Sequence, residues 1–205
     1  MIELFEWPPT RSQRAKWVLE ELGVPYKSSD VNLLQNEQQG EPYRKIQPLG
    51  VVPALKTPNY SMFESVAIVL QLIDECPEKK LAPSVGSAER AMYYQWCVFA
   101  GTEMDPAIML YFNNSMRPSG PKHDPKLAER GRDDFKIRAE ILSNTLKARE
   151  YLLGNSFSGA DILIGHSCFM ARHVGLMDQY PILDSYHNRL QKRPAYQRAY
   201  EGYLI

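Results

Sequence analysis

The 205 residues are 44% hydrophobic and 23% charged, the balance of a globular chain with a core of its own, which excludes intrinsic disorder and a collagen-like repeat. Lys+Arg and Asp+Glu both number 24, so the formal net charge is zero and no basic excess points to a nucleic-acid partner. The longest apolar runs, such as 107–112, are about a third of the ~18 residues a membrane span needs, and the three scattered cysteines (Cys76, Cys97, Cys168) fit a reducing cytoplasm better than a disulfide frame or a zinc site.

The chain opens Met1-Ile2-Glu3-Leu4-Phe5-Glu6, with an acid in third place and no long apolar block, unlike a secretory leader. Residues 2–5 predict a short strand, and Pro8-Pro9 break it. Ala15, Val18, Leu19 and Leu22 recur at i, i+3, i+4 and i+7, which predicts a helix stopped by Gly23. A strand over 26–33, a polar loop over 35–40 and a short helix over 42–46 follow. Strands at 51–55 and 60–63 flank a turn at Thr57-Pro58-Asn59, and Val66, Val69, Leu70 and Ile73 mark a second strong helix. The order β-α-β-α-β-β-α ends at a charged, proline-bearing linker over 77–83. Beyond Ser87 only helices are predicted, over 87–112, 126–153, 161–174, 181–192 and 195–200, with a proline-rich loop at 113–125. Phe135, Ile141, Leu142 and Leu146 are the expected core positions of the 126–153 helix. Alternating α/β followed by all-α predicts two packed domains.

Two short motifs carry chemistry. In Gly50-Val51-Val52-Pro53-Ala54-Leu55, a proline at the mouth of an apolar strand cannot donate a ladder hydrogen bond. It marks either an edge strand or a cis-proline that turns the Val52 backbone outward to pair with an extended peptide ligand. In Phe63-Glu64-Ser65 the polar pair either caps the second helix or forms a site for a head group with both charges. Helix-start amides and the Ser65 hydroxyl hold a carboxylate, while Glu64 accepts from an ammonium.

The two motifs in this order resemble the soluble glutathione transferases, of serine/threonine-hydroxyl, bacterial-like type. The similarity runs from Leu4-Phe5 through Leu19-Glu20-Glu21-Leu22-Gly23-Val24-Pro25-Tyr26 into the C-terminal helices. Phe157-Ser158-Gly159-Ala160-Asp161-Ile162 resembles the family's capping box, in which Ser158 and Asp161 satisfy one another's amides.

The resemblance implies an α/β thioredoxin-like domain (βαβαββα) over 1–80, a linker over 81–86 and an all-helical domain over 87–205. It implies a cytoplasmic homodimer in detoxification, with glutathione as co-substrate, no permanently bound cofactor, no metal, and neither nucleic acid nor membrane as partner. Val52 and Pro53 would present backbone to the cysteinyl part of glutathione, and Glu64 and Ser65 would hold the γ-glutamyl end. The glycyl carboxylate would meet Gln38 or Gln39, and Lys45 or Arg44. Trp7 and Tyr111 would line a pocket for a small apolar electrophile between the domains, and Glu103 or Asp105 would reach the partner subunit's glutathione.

A thiol with a pKa near ~8.5 is only a few per cent thiolate at pH 7, so the site needs a donor aimed at sulfur. Phe5 stands where the tyrosine branch has its hydroxyl, and no cysteine precedes Cys76, so neither of those branches has its group. Thr10 occupies the serine position before the first helix; Ser12 is the alternative donor or that helix's N-cap. Three functions remain: transfer of glutathione to an electrophile, glutathione-dependent peroxide reduction, or non-catalytic ligand binding.

Overall fold

The computed structural model describes residues 1–117 and 123–203, which form two compact units: Met1–Leu81 with Gln191–Ile205, and Ala82–Leu190. The first unit is built on a four-stranded sheet of order β2-β1-β3-β4, from β1 (Ile2–Glu6), β2 (Tyr26–Asp30), β3 (Ala54–Lys56) and β4 (Ser61–Phe63). β1 runs parallel to β2, with Leu4 opposite Ser28, and antiparallel to β3, with Leu4 opposite Leu55; β4 closes the edge as a hairpin with Leu55 opposite Met62.

The two-residue alternation of a strand decides what lies on each face. Leu4 and Glu6 are buried on the side of α1 (Ser12–Leu22), where Lys16 of α1 reaches Glu6 at 2.8 Å. α3 (Ser65–Glu75) lies beside α1. Phe5 faces the other way and packs with Val31, Ile46, Val52, Ala54 and Tyr43 of α2 (Glu41–Arg44). All four apolar positions expected to face inward on α1 are buried, and Gly23 ends the helix in the left-handed region at φ 67°, a conformation that favours glycine.

Three strands are shorter than the sequence suggests, β4 by the single residue Tyr60. β2 stops at Asp30, because the Asn32 side chain accepts the amides of Leu34 and Gln35 and caps a tight turn at Leu33–Gln35. Pro53 lacks an amide, so β3 starts only at Ala54.

The second unit holds α4 (Ala88–Phe99), α5 (Asp105–Ser115), α6 (Pro125–Leu146), α7 (Gly159–His173) and α8 (Pro181–Gln191). The helix expected over 87–112 is instead α4 and α5 joined by a π-helical turn at Ala100–Met104. Pro106 sits just beyond that turn, and a proline has no amide to continue an i→i−4 ladder. Asn113, Asn114 and Ser115 extend α5 rather than opening a loop; 118–122 of the expected loop lie outside the described residues. Phe135, Leu142 and Leu146 are buried as expected, whereas Ile141 is exposed, one step around the helix from the stripe that Phe135, Ala139, Leu142 and Leu146 define. No helix among the described residues is long and apolar enough to cross a membrane.

α9 (Pro194–Ala199) belongs with the sheet-bearing unit. Arg193 forks onto Glu21 at 2.7 and 2.8 Å, and Arg198 pairs with Glu20. Tyr196 and Tyr200 stack on one another at 4.1 Å and meet Trp17 edge-on. The physical reason lies in α1, whose last turn carries two acids against the negative end of its dipole, a place that attracts cations.

Candidate functional site

The start of α1 gathers the hydroxyls. Arg11 takes the N-cap position without a side-chain cap, so Ser12 is the first helical residue and not the cap the sequence suggested. Capping falls to Thr10, whose Oγ1 accepts the Ser12 amide at 3.2 Å. Ser12 is fully buried; its Oγ accepts the Trp7 amide at 3.3 Å and donates to the Trp7 carbonyl at 3.4 Å. The two hydroxyls, Thr10 Oγ1 and Ser12 Oγ, are 2.8 Å apart. Thr10 is half-buried and Ser12 sealed, so of the two only Thr10 has a surface on which a ligand atom can rest.

The second wall is the loop before β3. Tyr43 donates its hydroxyl to the Val51 carbonyl at 2.7 Å, Gln47 accepts the Val51 amide at 3.4 Å, and Gln39 donates to the Gly50 carbonyl at 3.2 Å. Gly50, at φ 63°, lets this loop close against Gln38 and Gln39, since a Cβ there would lie 2.9 Å from the Gln38 carbonyl. Every neighbour is thus pinned, yet the amide and carbonyl of Val52 have no hydrogen-bond partner among the described residues. The Val52-Pro53 bond is cis, the sharper of the two sequence readings.

The third part is the start of α3. Glu64 holds the N-cap position at φ 72°, ψ 107°, a region costly for any residue with a Cβ, and its side chain makes no cap. The plain-cap reading therefore fails, and the helix-start amides keep their hydrogen-bonding capacity. Ser65, next in line, is buried and its Oγ accepts from Arg14 Nη1 at 3.3 Å. Glu64 is exposed beside it.

Other expected residues fall elsewhere. Lys45, just past the end of α2, is exposed and paired with Glu41 at 2.9 Å; Arg44 donates to the Pro48 carbonyl. Gln38 is half-buried with its amide 3.5 Å from Asn36 Oδ1. Trp7 is half-buried next to the hydroxyl pair; Tyr111, in the second unit, has its ring 5.2 Å from the Arg132 guanidinium. Asp105 is buried inside the second unit, accepting from Ser167 at 2.9 Å. Glu103 is ion-paired with Arg138 at 2.7 Å. His166 and Cys168 are core residues, and the exposed Asp124 caps α6. Burial pushes the thiols of Cys97 and Cys168 up to about 12 and raises that of Cys76, so none of the three is an activated nucleophile.

Arg14 is the site-facing residue that the sequence reading passed over. The signal was present: position 14 precedes Val18 and Leu22 by four and eight, so a charged side chain sits in register with the apolar stripe of α1.

The chain belongs to the glutathione S-transferase family. Its residues 1–73 match the family's N-terminal domain model and 99–194 its C-terminal domain model. It is 30% identical to a glutathione S-transferase of Arabidopsis thaliana over 155 residues, 74% of this chain and 72% of that one. It is 26% identical over 204 residues to a disulfide-bond oxidoreductase of Escherichia coli, covering 95% of this chain and 92% of that one. Among solved structures, a sphingomonad glutathione S-transferase complexed with glutathione superposes with a TM-score of 0.86 at 28% identity, covering 98% of each chain.

Proposed function

We propose that glutathione lies along the first unit as an added strand, its cysteinyl backbone pairing with Val52 and its γ-glutamyl end held by Glu64, Ser65 and the α3 amides. The Thr10 hydroxyl donates to the sulfur. The observation that carries this reading is the 2.8 Å contact between the half-buried Thr10 hydroxyl and the sealed Ser12 hydroxyl. Either hydroxyl can donate across this contact; when Ser12, accepting from the Trp7 amide, turns its proton from the Trp7 carbonyl to Thr10, the Thr10 proton is released toward the ligand, and each bond in such a chain polarises the next. The thiolate then attacks the electrophilic carbon of a small apolar substrate, the carbon–sulfur bond forms, and the leaving group departs with its electron pair. The thiol proton has already gone to solvent.

A second reading draws on the relative in Escherichia coli that is a disulfide-bond oxidoreductase. In this reading the thiolate of bound glutathione attacks a hydroperoxide oxygen, displacing an alcohol, and a second glutathione reduces the resulting sulfenic acid to glutathione disulfide and water. Rates with chlorodinitrobenzene and with cumene hydroperoxide, measured side by side, separate the two.

Glu64→Ala removes the acceptor for the ligand's ammonium group. A charged hydrogen bond is worth ~1.5–3 kcal/mol, so glutathione affinity is expected to fall roughly ten- to a hundredfold in calorimetry. Unchanged affinity removes Glu64 from the site. We also place the enzyme in the cytoplasm as a homodimer, on the family's habit and a zero net charge that does not oppose association. Sedimentation at micromolar concentration is expected to show twice the chain mass, and a monomer there ends the dimer reading.

A further inference from the structure

We infer that Arg14 is a positioning residue for the α-carboxylate of the γ-glutamyl group, acting through the Ser65 hydroxyl. The inference rests on the proposed placement of that carboxylate at Ser65. Arg14 is fully buried on the α3-facing side of α1, and its Nη1 lies 3.3 Å from Ser65 Oγ. A guanidinium donates and never accepts, so this contact fixes Ser65 Oγ as the acceptor. The single hydroxyl proton of Ser65 is then directed away from Arg14.

Without Arg14, the Ser65 hydroxyl is free to rotate and to spend its proton on a neighbouring backbone carbonyl. With Arg14 in place, the hydroxyl is pre-set as a donor before the ligand arrives, in line with the unspent amides of the α3 start. The buried positive charge adds attraction for a carboxylate, and the low-dielectric surroundings leave that attraction poorly screened. The arrangement also ties the cysteinyl sulfur and the γ-glutamyl end of the tripeptide to one stretch of chain. Thr10 and Arg14 are four residues apart, about one turn and ~6 Å along the axis, with Thr10 serving the sulfur and Arg14 the γ-glutamyl carboxylate. The entry into α1 and its first turn are thus a common mount for both contacts.

The test compares two substrates in the full-length enzyme with chlorodinitrobenzene as electrophile. One is glutathione; the other is its analogue with the γ-glutamyl α-carboxylate converted to a carboxamide. In the native enzyme KM should favour glutathione by about tenfold or more. Arg14→Met is expected to raise KM for glutathione about tenfold, to leave kcat within about twofold, and to leave KM for the carboxamide unchanged, so the preference disappears. Arg14→Lys, which keeps a cationic donor, should recover most of it.

Equal rises in KM for both substrates, or a fall in kcat alone, would mean that Arg14 only supports the fold and would overturn the inference. Should Arg14→Met fail to fold, Arg14→Gln decides: a neutral donor is expected to reduce the preference at least threefold, and an unchanged preference overturns the inference. If the native enzyme shows no preference between the two substrates, it is the carboxylate assignment to Ser65 that fails, and Arg14 with it. A native preference that survives in the Arg14 variants leaves that assignment standing and removes only the role of Arg14.

Discussion

Turnover of Thr10→Ala at pH 7 should fall to a few per cent of the native rate and recover above pH 9. The sign follows from which form of the thiol is reactive. A hydroxyl that donates to sulfur stabilises the thiolate and lowers the pKa of bound glutathione. A shift of two units from ~8.5 corresponds to about 2.7 kcal/mol and raises the thiolate fraction at pH 7 roughly 25-fold. The native rate therefore rises with pH through the lowered pKa and levels off early, whereas Thr10→Ala follows the free thiol and levels off about two units later. Affinity for glutathione should barely move, since the tripeptide backbone and its γ-glutamyl end are held elsewhere. Thr10→Ser keeps the donor, loses the rotamer restriction of the extra methyl, and should match or exceed the native rate. Ser12→Ala takes away the group that feeds Thr10, so it should raise the bound-thiol pKa by less than Thr10→Ala does, at about 1 kcal/mol of stability for the lost buried hydrogen bond. The measurement is thiolate absorbance of the bound tripeptide against pH in all three variants. If Ser12→Ala moves the titration and Thr10→Ala does not, the roles are exchanged. If neither moves it, backbone amides or Arg11 hold the thiolate.

The first unit was largely legible because its signals are local. The α1 stripe, the Gly23 stop, the turn at Thr57-Pro58-Asn59 and the proline at the mouth of β3 are each fixed within a few residues, and the structure places all of them as the sequence suggests. What was not legible depends on partners distant in sequence. The docking of 191–203 onto α1 needs Arg193 and Arg198 to meet Glu21 and Glu20, 172 and 178 residues away, and nothing in either segment announces the other. The same holds for Asp105, which reads as a surface acid of a long helix until Ser167 is brought beneath it. Within the candidate site, the Val-Pro and Glu-Ser pairs are visible as motifs, and the helix-start position of Ser12 differs from its expected role by a single residue. That one step decides whether its hydroxyl caps a helix or supports its neighbour. The π-helical turn before Pro106 had a signal, the proline itself, that a reading by apolar periodicity alone overrides.

Asp161→Ala is expected to cost about 3–5 kcal/mol of stability, enough to consume much of the ~5–15 kcal/mol of a typical domain. The side chain is fully buried and collects four donors: the Leu152 amide at 2.9 Å, the Ser158 amide at 2.9 Å, the Ser158 hydroxyl at 3.0 Å and the Tyr186 hydroxyl at 2.8 Å. It therefore does more than the expected capping box. Besides capping α7 it joins the Tyr151–Leu152 turn and α8 to the start of a helix that is buried along most of its length. Burial pushes its carboxyl above the ordinary range, and the four donors offset only part of that. A side chain retained at such a desolvation cost must be needed by the groups around it. Alanine leaves two amides and two hydroxyls without an acceptor in a space closed to water, and each such group costs ~1–3 kcal/mol, although the costs do not simply add. Asp161→Asn would not restore the site, because one of the two polar atoms of a carboxamide is itself a donor and would face the Ser158 pair or Tyr186. Tyr186→Phe removes one donor without stranding the carboxylate and should cost about 1 kcal/mol. Unfolding in urea, followed by far-ultraviolet circular dichroism, ranks the three variants. An Asp161→Ala stability within about 1 kcal/mol of native, or a Tyr186→Phe loss as large as that of Asp161→Ala, would show that α7 is held by its apolar packing and not by this carboxylate.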